Sequence, residues 1–376
     1  MKQSSENIQK LEVILDSQNL EVVERIKTIK SLMDAVIDDS IIEKAEVILD
    51  SFNRLLNGDF DFLERWLNEM YPLFEFEVEK SIIITWTAKI DNCRSVPSFV
   101  TNLEIVKCGG LTSLEGLPDG LESLDIQDCN GFTSIDVFPS NLKSFEIDGC
   151  ERLTSLEGLP QGLRNLLVYA DNITIGLNKL PSSLERFAVS SQNLRSLEGL
   201  PDGLESLTIL NCKNLTSLEG LPVSLVSLQL FSCIFLNSFE YLPKSLESLE
   251  IQNCGNLTSL EGLPEELKSL FIYHCDKLRF IERLPEGLKS LEIGSCDNLK
   301  SLEGLPDGLE SLCVVSCDLA SLEGLPEELN SLKISDCEKL RSLEGLPEGF
   351  ESLEIDEYSR RNLDEESLKM LEKLAV

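Results

Sequence analysis

The sequence predicts an α/β solenoid, in which stacked coils of 20 or 21 residues each contribute one short parallel strand and an irregular return. Three observations predict it. Thirteen of the 14 prolines stand at Pro97, Pro118, Pro139, Pro160, Pro181, Pro201, Pro222, Pro243, Pro264, Pro285, Pro306, Pro326 and Pro347, in steps of 21 residues broken only by steps of 20 at Pro181 to Pro201 and Pro306 to Pro326. Cysteines keep the same beat at Cys108, Cys129, Cys150, Cys212, Cys233, Cys254, Cys275, Cys296, Cys317 and Cys337, with vacant beats at Asp171 and near Ser191. Within each period, apolar and polar residues alternate at period two, as in Leu249-Glu250-Ile251-Gln252. That alternation describes a strand with one buried face.

In chain order, the N-terminal stretch comes first. Apolar residues recur at helical spacing at Leu11, Ile14 and Leu15, then Val22, Ile26, Ile29 and Met33, then Ile41, Ala45, Ile48, Leu49 and Phe52, then Leu63, Trp66, Leu67 and Met70. This predicts four amphipathic helices. Ser40 with Glu43 fits a capping box, Asn57-Gly58 a helix stop, and Pro72 ends the fourth helix. Residues 73–78 and 81–86 then read as strands leading into a degenerate first coil around Ala88 to Cys93. The predicted division is a helical cap or accessory domain over 1–80, a repeat domain over 81–356, and a capping helix over 357–376.

Each coil of the repeat domain places its proline opposite the strand, because proline cannot donate to a ladder. Successive strands then stack buried positions into a spine: Leu124, Phe145, Leu166, Phe187, Leu207, Leu228, Leu249, Leu270, Leu291, Leu312, Leu332 and Leu353. No single coil buries its leucines alone, whereas neighbours bury them for each other. After Ile355, the run Asp364 to Lys373 predicts an amphipathic helix that closes the array.

The repeating L-x-x-L-x-I-x-x-C-x-x-L pattern resembles the leucine-rich-repeat family in its cysteine-bearing variant. With Glu261-Gly262-Leu263-Pro264 and its equivalents in the variable half, it is similar to the short-repeat effectors of pathogenic bacteria and to the repeats of plant intracellular immune receptors. The resemblance covers about residues 88 to 356 and implies a horseshoe with a concave strand face, an irregular convex side, and binding as the common property. The nucleotide switch of the plant receptors has no counterpart, since no G-x-x-x-x-G-K-[ST] occurs. The C-x-D ligase cysteine of some bacterial relatives is also missing, because no cysteine has aspartate two positions on.

Composition narrows the function. With 66 acidic against 33 basic residues, the net charge of −33 disfavours nucleic acid and anionic membranes and favours a protein with a basic patch. No stretch marks Sec export or membrane insertion. The 12 cysteines of such a chain are expected to be reduced thiols turned inward at the bend after the strand, satisfying backbone groups rather than binding metal. A single histidine, His274, leaves almost no material for zinc sites or triads, so no catalytic residue, metal or cofactor is expected.

Two exposed features remain. One is a row of acids on the convex side, at Glu115, Asp136, Glu157, Glu198, Glu219, Glu240, Glu261, Glu282, Glu303, Glu323 and Glu344, read as a solvated face whose carboxylates accept turn amides. The other is the concave face of the strands. Its first column is mostly serine (Ser206, Ser227, Ser248), and its next two vary: Glu104, Asp125, Glu146 and Asp148 come first, then Leu167, Tyr169, Leu210, Phe231, Phe271, Tyr273 and Val315. Aromatic side chains on a rigid sheet have the character of interface anchors. The expectation is a protein-interaction module whose partner docks across coils four to nine, centred on Phe231, Phe271 and Tyr273. The resemblance implies an effector, cytoplasmic or delivered into a host cytoplasm by a specialised secretion system. The alternatives are an adaptor whose N-terminal helices recruit an enzyme complex such as a ubiquitin ligase while the repeats select the substrate, and a catalytic protein with an unrecognised site.

Overall fold

The computed structural model describes residues 75–78, 82–86, 93, 96, 100–347, 350 and 352–374; the four expected N-terminal helices lie outside the described residues. The chain divides into two compact units, Met1–Cys150 and Glu151–Val376. The first contains β1 (Glu75–Val78), β2 (Ile82–Trp86), β3 (Asn102–Val106), β4 (Ser123–Gln127), the two-residue β5 (Ser134–Ile135) and β6 (Ser144–Asp148). The second contains the two-residue β7 (Ser155–Leu156), then β8 (Asn165–Tyr169), β9 (Arg186–Ser190), β10 (Ser206–Leu210), β11 (Ser227–Phe231), β12 (Ser248–Gln252), β13 (Ser269–Tyr273), β14 (Ser290–Gly294), β15 (Ser311–Val315), β16 (Ser331–Ser335) and β17 (Ser352–Ile355). Two helices follow, α1 (Glu357–Arg360) and α2 (Glu365–Leu374).

In the first unit β1 and β2 form an antiparallel pair, and β2 then starts a parallel ladder by pairing Ile84 with Leu103 of β3. The expected degenerate coil around Ala88 to Cys93 lies outside the described residues except for Cys93. Cys93 stands 21 residues before Leu114, and its carbonyl accepts the Val96 amide as the Leu114 carbonyl accepts that of Leu117. It replaces a leucine of the variable side. The ladder continues in register through β4 and β6.

In the second unit β8 to β17 pair in parallel without a register slip, so Leu207, Leu228, Leu249 and Leu270 are direct neighbours. The spine is closed to solvent: Leu228, Leu249 and Ile251 are 0% exposed. Full burial of one leucine is worth about 1.5–3 kcal/mol, and a column of them accounts for a sheet with no helical layer behind it. The Pro carbonyls of the beat from Pro118 to Pro326 accept the amide three residues on, as in Leu246 to Pro243, which closes the turn that feeds the next strand.

The bend after ten of the strands uses a left-handed residue. Lys107, Asp128, Gly149, Asn211, Ser232, Asn253, His274, Ser295, Ser316 and Asp336 all have positive φ and immediately precede the cysteine of their coil. Two coils lack that residue, and there the sequence reading needs correction. The position facing the core after β8 is Ala170, 3% exposed, and not the exposed Asp171; after β9 it is Ser191, also 3% exposed. Each directly follows its strand with no left-handed residue between. After β9 this deletion gives the 20-residue step, whereas after β8 the 3-10 turn Leu177–Lys179 restores the lost residue, so the proline spacing does not reveal the deletion.

At the C-terminal end the expected helix is present as α2, preceded by a shorter α1. Asp356 and Asp364 cap their helices by accepting the amides of Ser359 and Ser367 at 2.9 and 2.8 Å. Both serines are buried. Their hydroxyls accept the Cys337 and Leu343 amides at 2.9 and 2.8 Å, donors for which no further coil supplies an acceptor.

Candidate protein-binding face

Strand alternation sends the second and fourth residues of each strand into the spine and leaves the first, third and fifth on the outward face. All ten residues singled out for binding stand in the third or fifth column and are half-buried.

In the first unit Glu104, Asp125 and Glu146 are in-register neighbours, with Asp148 in the adjoining column. Gln127 Nε2 donates to Asp125 Oδ2 at 2.9 Å, while Asp125 Oδ1 is buried with no hydrogen-bond partner. Burial raises the Asp125 carboxyl above the usual carboxylate range against the Gln127 hydrogen bond, and the Asp148 charge adds to the rise. Burial and the charges of Asp125 and Asp148 likewise raise Glu146.

In the second unit the third column runs Leu167, Ala188, Thr208, Gln229, Glu250, Phe271, Glu292, Cys313, Lys333 and Glu354, and the fifth runs Tyr169, Ser190, Leu210, Phe231, Gln252, Tyr273, Gly294 and Val315. Leu210 and Phe231 are in-register neighbours. Phe271 lies between Glu250 and Glu292 on the flanking strands, about 4.8 Å away on each side. Both carboxylates are held by neutral donors: Gln229 and Gln252 donate to Glu250 at 2.7 Å each, and the Tyr273 hydroxyl donates to Glu292. Neither forms a salt bridge among the described residues.

Tyr273 differs from the free anchor its sequence position suggests. Its ring lies flat across Gly294 of the next strand, where a Cβ would collide with the ring carbons. Burial, together with the adjoining Glu292 carboxylate, holds its phenol protonated well above the usual tyrosine range. The sequence signal for this arrangement was the glycine interrupting the fifth column. Cys313, outside the regular cysteine beat, also belongs to this face, between Glu292 and Lys333.

The variable side corrects a second expectation. The acidic row is exposed throughout, but its carboxylates are not the turn acceptors; the serine two residues earlier is. Ser113, Ser196, Ser217, Ser238, Ser259, Ser301 and Ser342 accept the amides of the following Glu residues at 3.0–3.2 Å. The following glycines, among them Gly220 and Gly262 at φ +99°, complete type II turns.

All 12 cysteines are free thiols, and every one except Cys313 is buried. Nine of the ten thiols of the beat, all but Cys150, donate to the carbonyl two residues back, as Cys129 does to Gln127 at 3.3 Å, and Cys129 also accepts the Cys108 amide at 3.2 Å. Burial pushes Cys93, Cys129, Cys275 and Cys317 up to about 12 and Cys150, Cys212, Cys254 and Cys296 up to about 11. These are structural donors and acceptors at the bend.

No family model matches the sequence, and no curated protein matches it. Solved structures do. YopM from Yersinia enterocolitica WA-314 is similar with a TM-score of 0.52 at 26% identity, over 74% of this chain and 60% of that one, so this chain spans less than two thirds of its length. CroV588, described as a novel circular LRR protein structure, is similar at 15% identity and a TM-score of 0.41 over 74% of this chain and 60% of that one. A leucine-rich repeat protein from Bacteroides ovatus ATCC 8483 is similar at 16% identity and a TM-score of 0.31 over 75% of this chain and 89% of its own. With its coil period, leucine spine, inward-turned bend and likeness to YopM, the chain is a leucine-rich-repeat solenoid in fold.

Proposed function

We propose that this chain is a protein-binding module of a bacterial effector, which captures a host protein with a basic patch on the outward face of its second unit. The observation that carries this reading is Phe271, half-buried on the sheet between two carboxylates that form no salt bridge among the described residues. An apolar anchor flanked by acids fits a partner surface in which an apolar side chain is bracketed by lysine or arginine. Leu210, Phe231 and Val315 extend the apolar surface, Leu167 and Tyr169 lie toward its N-terminal side, and Tyr273 holds Glu292 in place. The net charge of −33 steers a basic partner at long range. Delivery to a host cell is supported by the sequence resemblance to short-repeat effectors and by the likeness to YopM.

The test is capture from host lysate with the full chain as bait, followed by affinity measurement on the recovered partner. Phe271→Ala is expected to weaken binding by about thirtyfold, the effect of removing an anchor worth about 2 kcal/mol. Phe231→Ala in the same chain is expected to act in the same direction. Unchanged affinity in both variants would place the partner elsewhere.

A further inference from the structure

One coil differs from its neighbours over its whole exterior. Among the described residues, large exposed apolar side chains concentrate in the coil from Pro222 to Pro243: Val223, Val226, Ile234, Phe235 and Tyr241. The adjoining coils carry polar or small residues at the same positions. Val223 stands between Asp202 and Lys244, Val226 between Glu205 and Glu247, Ile234 between Lys213 and Gly255, and Phe235 between Asn214 and Asn256. These side chains are additional to the buried set of the coil, which keeps Leu225, Leu228 and Leu236 and differs from its neighbours in Leu230 and Phe239.

Ile234 and Phe235 follow the bend, so they stand on the flank that descends from the strand ends. Phe235 is 51% exposed. Two coils farther along, a rise of about 10 Å, Phe280 is 61% exposed where the flank meets the variable side, beside an open hollow lined by Thr258, Asp276, Lys277, Arg279 and Asn298. Phe280 occupies the position held by Ser259 and Ser301 in the coils on either side. The flank thus offers a projecting aromatic and, two coils away, an aromatic-sided hollow. It also carries both signs of charge. Between the bend and the turn serine, the charged residues of coils 222 to 285 are Asp276, Lys277 and Arg279, all exposed, and none of the three forms a salt bridge among the described residues. On a molecule of net charge −33, this balanced flank is a surface that a second copy can approach without meeting an excess of like charge.

We propose that the descending flank of coils 222 to 285 is a self-association surface. Two copies meet about a two-fold axis, with Phe235 of each seated in the Thr258–Phe280 hollow of the other. A two-fold contact is self-complementary by construction, so a knob and a hollow on one flank satisfy each other twice, and the basic Lys277 and Arg279 face the acids of the mate. This surface lies off the outward strand face, which it leaves open to a partner.

Because the coils are equivalent, the test variant can be taken from the protein itself. Phe235→Asn introduces the residue found at 214, 256 and 298, where the amide donates to a carbonyl of the preceding coil, and Phe280→Ser introduces the serine of 259 and 301. The full chain and the double variant are compared by sedimentation velocity over a range of protein and salt concentrations, with thermal unfolding of both. The wild type is expected to dimerise, more strongly as salt screens the net charge. The double variant is expected to stay monomeric at unchanged or higher Tm. A wild type monomeric at every concentration and salt, or a double variant that dimerises equally well, overturns the proposal. So does a monomeric wild type whose capture of a different protein is lost in the double variant. Salt separates this reading from partner capture on the strand face, which weakens as salt rises.

Discussion

At the residue scale, the glycine of the type II turn and the thiol of the bend carry the strongest constraints. A Cβ at Gly220 would stand 2.6 Å from the Glu198 amide nitrogen, and φ is +99°, so Gly220→Ala is expected to destabilise the chain by about 1–3 kcal/mol in denaturant unfolding. Tyr241 occupies the same turn position at φ +75°; Tyr241→Gly is expected to stabilise by up to about 1 kcal/mol. The thiols impose a pH dependence. Below the ordinary thiol value of 9.0 both folded and unfolded chains hold their protons, so this contribution to stability is constant. Above it the unfolded chain releases protons that buried Cys129 and Cys275 retain up to about 12, and stability is lost as pH rises through that window. Each buried thiol contributes a slope of about 1.4 kcal/mol per pH unit at its steepest, so Tm is expected to fall sharply between about pH 9 and 11. Replacing Cys129 and Cys275 with alanine should flatten that fall, which thermal unfolding at stepped pH measures. The inward cysteine was legible in its spacing. The left-handed residue before it was not, because Lys107, Ser232, His274 and Asp336 share no side-chain chemistry and what they share is a backbone angle.

The coil and its caps are legible to different depths. Strand positions such as Leu249 and Ile251 follow from period two alone, and the structure places them where that pattern does. The deletion after β8 escaped the sequence reading because Leu177–Lys179 restores the count, so Asp171 took the beat that belongs to Ala170. The C-terminal helix was legible from Asp364 onward. That its serine hydroxyls replace a missing coil was not, since nothing in Ser359 or Ser367 identifies a distant amide as a partner. Ser359→Ala and Ser367→Ala are each expected to cost about 1–3 kcal/mol by leaving a buried amide without an acceptor. Hydrogen exchange should show the loss first at the Cys337 and Leu343 amides, with β8 to β12 unaffected.

For the whole molecule, charge governs association. A net charge of −33, with Glu250 and Glu292 outside the salt bridges of the described residues, predicts that partner capture weakens steadily as salt rises. Glu250→Gln with Glu292→Gln is expected to reduce that salt dependence and to lower the association rate more than it raises the dissociation rate, as surface-binding kinetics at several ionic strengths would show. The outward strand face was legible as columns of third and fifth residues, because register along a parallel ladder follows from the period. The collapse of Tyr273 onto Gly294 was not, since it depends on two residues 21 positions apart acting as one surface.

The left-handed bend residue has one further consequence. Its removal shortens a coil by one without disturbing the pairing of the strands on either side, as Arg186 opposite Ser206 and Asn165 opposite Arg186 demonstrate. Length variation is absorbed outside the lettered face. A gene of this kind can therefore gain or lose whole units by unequal recombination, and can trim single codons at the bend, while every surviving column keeps its alignment. The surface open to selection is then a string that can be respelled one coil at a time.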